Sequence, residues 1–326
     1  MKQIPKTVRH NHKTYDVKGS HSIRGETYLV IGKYGRGDKS IDHVLHVTGR
    51  NQFKDRVVHV LEGSSENWKQ FQNLDRAAGK SLPFARILTH VKKDGKLCVV
   101  VEHQAGKSLR YYLKTGREIS PYKALMLNRQ LVGQVANLSR TTHVHHGDIS
   151  PDNIVVARDV TRLVLIDFGS SFTYSESNRL STGDGIKQIY AAPEVINGKP
   201  PNRISEQFSC GMILNEILTG EIAYSGRGGT VVQGKQNPDF QPRIKPILEY
   251  EKNVEAKFPK HIWPEVDAYL KVVLAVDPRK RFSTLNAWQA SAKKLAWLTE
   301  PENQPHFQKG TLEKSLSSIA KWIRNI

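Results

Sequence analysis

The hydrophobic period of the chain changes once, near Gly106, and that change limits the fold more than any other feature of the sequence. Before it, short β-prone runs at residues 28–31, 41–47, 57–61, 85–91 and 97–101 are divided by Gly, Asp or Lys turns. One helical segment, 67–78, interrupts them. After it the spacing turns helical, at 108–114, 122–140, 205–218, 264–275 and 284–298, with a strand-rich patch at 154–166. The pattern predicts an α+β chain, a small β lobe followed by a larger, mainly helical one. Residues 1–20 read as a polar arm, and 225–262 as a long connection rich in Gly, Pro and Lys. At the far end Leu312, Leu316, Ile319, Ile323 and Ile326 form a one-sided helical stripe, with Lys314, Lys321 and Arg324 off it. That stripe suits a last helix docked on the large lobe, or a basic amphipathic helix that meets a membrane or a partner.

Composition removes several classes. At 326 residues the chain can hold two modest domains or one two-lobed unit with its own core. Its longest apolar runs, 97–101 and 163–166, fall far short of the roughly 20 residues of a spanning helix. The basic first residues have no apolar h-region, so no secretory signal is expected. Cys98 and Cys210 have no CxxC spacing, which excludes a disulfide framework or zinc ribbon and points to a reducing cytoplasm. Lys and Arg number 49 against 31 Asp and Glu, a net charge of +18. The excess is concentrated in the first hundred residues, where 19 basic side chains meet nine acidic ones. Such a balance suits acidic protein partners, nucleic acid or an anionic membrane surface, or only solubility. No aromatic-interleaved basic repeat and no zinc-finger spacing supports a dedicated nucleic-acid module.

The residues that carry chemistry lie in the helical half. His146-Gly147-Asp148-Ile149-Ser150-Pro151-Asp152-Asn153 is followed, after a β-prone run, by Asp167-Phe168-Gly169. One carboxylate and one amide stand five residues apart on a tight loop, and a second carboxylate opens a turn 19 residues beyond the first. Such a set supplies the hard oxygen ligands that Mg2+ prefers, with substrate phosphates completing its shell. It leaves Asp148 to orient or deprotonate a hydroxyl. A purely structural loop rich in Asp and Asn is the competing reading, and the added Asp-Phe-Gly weighs against it.

Here the chain resembles the eukaryotic-type protein kinases, over roughly residues 24–298. Tyr190-Ala191-Ala192-Pro193-Glu194 resembles the end of an activation segment. Residues 206–220 are similar to the family's buried central helix, with Glu206 where the family has Asp, and Asp277-Pro278-Arg279-Lys280-Arg281 to its late Asp-Pro-x-x-Arg element. The resemblance implies a bilobal protein-kinase-like fold, divided as arm 1–23, small lobe 24–103, large lobe 104–298 and tail 299–326. It implies ATP and Mg2+ as cofactors, Asp148 as catalytic base, Asn153 and Asp167 as Mg2+ ligands and His146 as a structural spine residue. Residues 97–109 resemble the last small-lobe strand and hinge, with Val101 as gatekeeper and the Glu102 carbonyl and Gln104 amide on the adenine. Arg281 is expected to pair with Glu194.

The small lobe departs from the family pattern. Gly35 and Gly37 stand where a phosphate-covering loop belongs, but the third glycine falls at Ser40. His59 occupies the place of the phosphate-binding lysine, and its helical partner, normally Glu, falls near Gln72. Lys39, or Lys33 on the preceding strand, is the expected substitute, much as with-no-lysine kinases take a lysine from this region. A second substitute is Lys187, set against Ser150, an exchange of the positions where Ser/Thr kinases carry Thr and Lys. Gly147 replaces the Arg that clamps a phosphorylated activation loop, so any activity is expected to be independent of such phosphorylation. Three functions follow: transfer of phosphate from ATP to protein Ser/Thr hydroxyls, a nucleotide-binding pseudokinase scaffold, or a small-molecule phosphotransferase of the aminoglycoside-kinase type. The last shares the His-Gly-Asp opening but lacks the protein-substrate platform.

Overall fold

The computed structural model describes residues 4–34, 40–62, 86–116, 119–167, 172–173, 185–232 and 262–299. A six-stranded antiparallel sheet forms the small lobe, in the order β3-β4-β5-β6-β8-β7. Its strands are β3 (Gly19–Ile23), β4 (Glu26–Tyr34), β5 (Ser40–Gly49), β6 (Gln52–Glu62), β7 (Ile87–Lys93) and β8 (Lys96–Glu102). Alternation along each strand divides its side chains between two faces. Tyr28, Val30, Val44, Val58 and Val100 pack on one face. Leu29, Ile31 and Leu45 pack on the other.

The amino end corrects the expectation of a polar arm. Strands β1 (Thr7–His10) and β2 (Lys13–Asp16) form a hairpin, and Val8, Tyr15 and Val17 pack against Leu29, Ile31 and Leu45. Asn11 and His12 both adopt left-handed backbone, φ 49° and 61°, as a tight two-residue hairpin turn requires. Residues 19–23, also placed in the arm, are the edge strand β3 of the main sheet.

Beyond the sheet, β9 (Lys107–Ser108) leads into α1 (Leu109–Lys114) and the long α2 (Pro121–Thr142). Ser120 caps α2, its hydroxyl accepting the Lys123 N–H, with Pro121 at the first helical position. Short strands β10 (Val144–His145), β11 (Ile154–Val156), β12 (Leu163–Leu165) and β13 (Phe172–Thr173) flank the loop expected to carry the chemistry. Helices α3 (Gly185–Tyr190), α4 (Pro193–Ile196), α5 (Ser205–Thr219), α6 (Trp263–Val273) and α7 (Leu285–Leu298) complete the described large lobe. Helix α5 is buried on every side, so Phe208, Met212, Ile213 and Leu214 join one core with Leu125, Leu131, Trp263 and Trp288. Each large apolar side chain so enclosed contributes about 1.5–3 kcal/mol. No helix among the described residues is long and apolar enough to cross a membrane. The helix expected at 67–78, most of the connection 225–262 and the helical stripe beyond 299 lie outside the described residues.

Candidate active site

The loop between β10 and β11 is held from below by α5. Both oxygens of a carboxylate are available where the chain has Glu206, and Oε1 accepts the N–H groups of His146 and Gly147 at 2.5 and 3.3 Å. Glu206 is 2% exposed, so the loop is pinned to the deepest helix of the lobe by a charge-assisted contact. Glu therefore serves where the family places Asp. Gly147 has φ 75°, a conformation that a side chain disfavours by roughly 1–2 kcal/mol. An Arg at this position would carry that strain.

His146 is fully buried and joins the two carboxylate-bearing segments. Its Nε2–H donates to the Ile166 carbonyl at 3.0 Å, while Nδ1 accepts the Asp148 N–H at 3.3 Å. The Ile166 N–H in turn donates to the Asn153 carbonyl at 2.9 Å. Asp167, the next residue, turns away from β12 in left-handed backbone, φ 61°. Asn153 is 7% exposed and donates from Nδ2 to both the Asp148 carbonyl and Asp148 Oδ2, each at 2.8 Å. That orients the Asp148 carboxylate, which is only half-buried, and points the amide nitrogen of Asn153 away from a ligand role. The remaining amide oxygen and the Asp167 carboxylate are hard oxygen donors of the kind Mg2+ prefers, so the residues present fit that ion.

A second network ties this loop to the segment before α4. Arg110 donates to Asp152 at 3.3 Å, Glu216 at 3.2 Å and the Tyr190 hydroxyl at 2.9 Å. Tyr190 donates to Glu216 at 2.5 Å. Burial, reinforced by the Glu216 charge, pushes the Tyr190 phenol well above its ordinary range, so it remains a donor. No motif signalled Arg110, because the four groups come from four separate elements. Arg281 forms the expected pair with Glu194, bidentate at 2.6 and 2.9 Å, and is itself 0% exposed on its side chain. Its guanidinium also donates to the Ala275 carbonyl at 2.8 Å and lies over the Phe208 ring.

In the small lobe, His59 is half-buried on β6, in register with Ile41 and Val99. Val57 and Val101 pair on the same face. Glu102 ends β8, its N–H bonded to the Arg86 carbonyl at 2.8 Å, and Gln104 follows half-buried. Between them, burial and the adjacent His43 hold the His103 imidazole below the usual histidine range. Lys33 is a correction: a bulge at Val30–Gly32 sets it opposite Asp42, which itself pairs with Val58. That row lies on the opposite face from His59, so Lys33 does not substitute at the His59 position. Gly35, Gly37, Lys39, Gln72 and the Lys187 side chain lie outside the described residues. Ser150, the other half of the expected exchange, is 1% exposed, and its hydroxyl has no partner among the described residues.

A buried central helix, a loop pinned on it, two carboxylate-bearing segments joined through a histidine, and an Arg–Glu clasp on the following segment are together the parts of a protein-kinase scaffold. The protein kinase domain model matches residues 81–293, about two-thirds of the chain, and the chain belongs to that family. Among its relatives, the probable serine/threonine-protein kinase HSL1 of Saccharomyces cerevisiae is 26% identical over 190 residues, 58% of this chain and 11% of that protein. The yeast fatty acyl-CoA synthetase and RNA processing-associated kinase 1 is 27% identical over 202 residues, 61% of this chain and 22% of its own length. A probable serine/threonine-protein kinase of Dictyostelium discoideum is 26% identical over 216 residues, covering 66% and 23%. The chain thus matches less than a quarter of the length of each of these relatives.

Proposed function

We propose that the chain transfers the γ-phosphoryl group of ATP to Ser or Thr hydroxyls of protein substrates. The observation that carries this is the Asp148–Asn153 hydrogen bond on a loop pinned to α5, which orients the half-buried Asp148 carboxylate for a substrate hydroxyl. In the reaction the substrate oxygen attacks the γ-phosphorus as the bond to the β-phosphate breaks. The hydroxyl proton passes to Asp148, and ADP leaves. Asn153 and Asp167 would hold Mg2+, which offsets phosphate charge when bound. Val101, the Glu102 carbonyl and the Gln104 amide would receive the adenine, with residues 24–103 and 104–298 as the two lobes. Gly35 and Gly37 would cover the phosphates, with Lys39 or Lys187 supplying the ammonium that His59 does not. The two free cysteines, Cys98 and Cys210, support a reducing, cytoplasmic setting.

His59 at the lysine position supports a second reading, a pseudokinase that binds nucleotide as a scaffold. The Arg281–Glu194 clasp, part of a protein-substrate platform, weighs against a small-molecule phosphotransferase. The test is transfer of labelled γ-phosphate, with Mg2+ or Mn2+, to the chain itself and to a generic basic protein. Asp148→Ala and Asp167→Ala are expected to lose about 100-fold or more while melting like wild type. Equal label in all three proteins would defeat the assignment, and Mg2+-dependent nucleotide binding without transfer would establish the scaffold.

A further inference from the structure

On the face of the sheet that carries His59, beside the residues proposed to receive the adenine, a group of side chains gathers around one carboxylate. His43 Nε2 lies 3.1 Å from Asp55 Oδ1, and His10 Nε2 lies 2.9 Å from Asp55 Oδ2. The His103 ring stacks on His43, with centroids 4.6 Å apart and planes 8° from parallel. Its Nε2 is 3.1 Å from the Tyr34 hydroxyl. One donor atom from each of His43, Asp55 and His103 lies within 4.8 Å of the others. These residues come from β5, β6 and the segment just after β8, while His10 arrives from the amino-terminal hairpin. Hydrogen bonding accounts for His10 and His43 on the two carboxylate oxygens. The third imidazole, held by the Tyr34 hydroxyl and by stacking on His43, is brought to the same point from the far end of β8.

We propose that His43, Asp55 and His103 form a binding site for a transition-metal ion of the Zn2+ type. Two imidazoles and one carboxylate are the donors such ions select, and differ in kind from the all-oxygen set that Mg2+ takes at Asn153 and Asp167. A tetrahedral site with bonds of about 2.0 Å needs donors about 3.3 Å apart. His43 Nε2 and Asp55 Oδ1 already stand at 3.1 Å, and the His103 ring must tilt off His43 and close by at most about 1.5 Å through side-chain rotation. All three sites are half-buried, which leaves room for that movement and for a water or other ligand in the fourth position. His10 stands behind the site: its bond to Asp55 Oδ2 orients the carboxylate while Oδ1 faces the ion. Bound metal would fasten residue 103 to strands β5 and β6. The site does not depend on the chain's catalytic activity.

The test is titration of the metal-free full chain with Zn2+, and with Co2+ as a spectroscopic reporter, in excess Mg2+ to fill the oxygen-only site. One equivalent is expected to bind, with ligand-field bands of a nitrogen- and oxygen-ligated Co2+. His103→Ala and Asp55→Asn are expected to weaken it at least tenfold, and His10→Ala about tenfold. His46→Ala, on the same strand as His43 but bonded to Glu26, is expected to leave it within twofold. Wild-type affinity retained in His43→Ala/His103→Ala would overturn the proposal, as would the absence of the bands. Should a variant fail to fold, carbethoxylation of wild type read by mass spectrometry decides: Zn2+ protects His43 and His103, and equal labelling with and without Zn2+ rejects the site.

Discussion

Arg281 has no exposed surface on its side chain, yet it carries a full charge, met by both oxygens of Glu194 and by backbone carbonyls. Its worth is best judged by what its loss leaves behind. Glu194→Ala strands a guanidinium without its counter-ion and is expected to cost about 3–5 kcal/mol in urea unfolding at unchanged m. A loss under 1 kcal/mol would mean that the carbonyls alone satisfy the charge. The pair was legible because both residues sit in short motifs whose order the chain keeps. Glu206 was legible only as a departure from type. That its Oε1 still reaches two N–H groups depends on a side chain one methylene longer, which a one-letter comparison does not express.

The elements that connect the lobes meet at a glycine. A Cβ on Gly106 would sit 2.2 Å from the Val156 carbonyl oxygen and 2.9 Å from Val155 Cγ1, where β9 pairs with β11. Backbone cannot give way there as a side chain would. Gly106→Ala is therefore expected to part β9 from β11, lowering stability by about 1–3 kcal/mol, checked by thermal melting. A melt equal to wild type would show that the segment shifts freely. The activation segment offers a prediction of the opposite kind. Gly147 has no side chain to clamp a phosphate, so phosphatase treatment is expected to leave transfer within twofold, measured on the same labelled-phosphate assay. Period-2 and period-3.6 patterns exposed most of these elements, because half-buried strands and amphipathic helices write their faces into the sequence. The first hairpin escaped. Thr7–His10 and Lys13–Asp16 bury one side chain here and there among lysines and histidines, and its turn, Asn-His, lacks the glycine that usually betrays it.

Across the whole molecule the charge is lopsided, and an acidic substrate would be gathered by it. With +18 overall, the KM for an acidic peptide is expected to rise several-fold between about 0.1 and 1 M salt, as the screening length falls from about 10 to about 3 Å. A neutral peptide should change little, and equal behaviour of the two would reduce the charge to a solubility device. The Asp148–Asn153 contact could be anticipated from spacing, since the two residues lie on one short stretch of chain. Arg110 and the histidines around Asp55 could not, because each gathers at a point that only strand pairing and helix docking define. The folded amino end has a practical side for anyone handling the protein. A fragment started where the family match begins, at residue 81, would lack four of the six strands of the sheet and the whole hairpin. One started at residue 24 would still bare Leu29, Ile31 and Leu45 by removing Val8, Tyr15 and Val17. Purification tags therefore belong ahead of residue 4, and an expression clone trimmed by similarity would yield a sticky, ill-behaved preparation for reasons unrelated to catalysis.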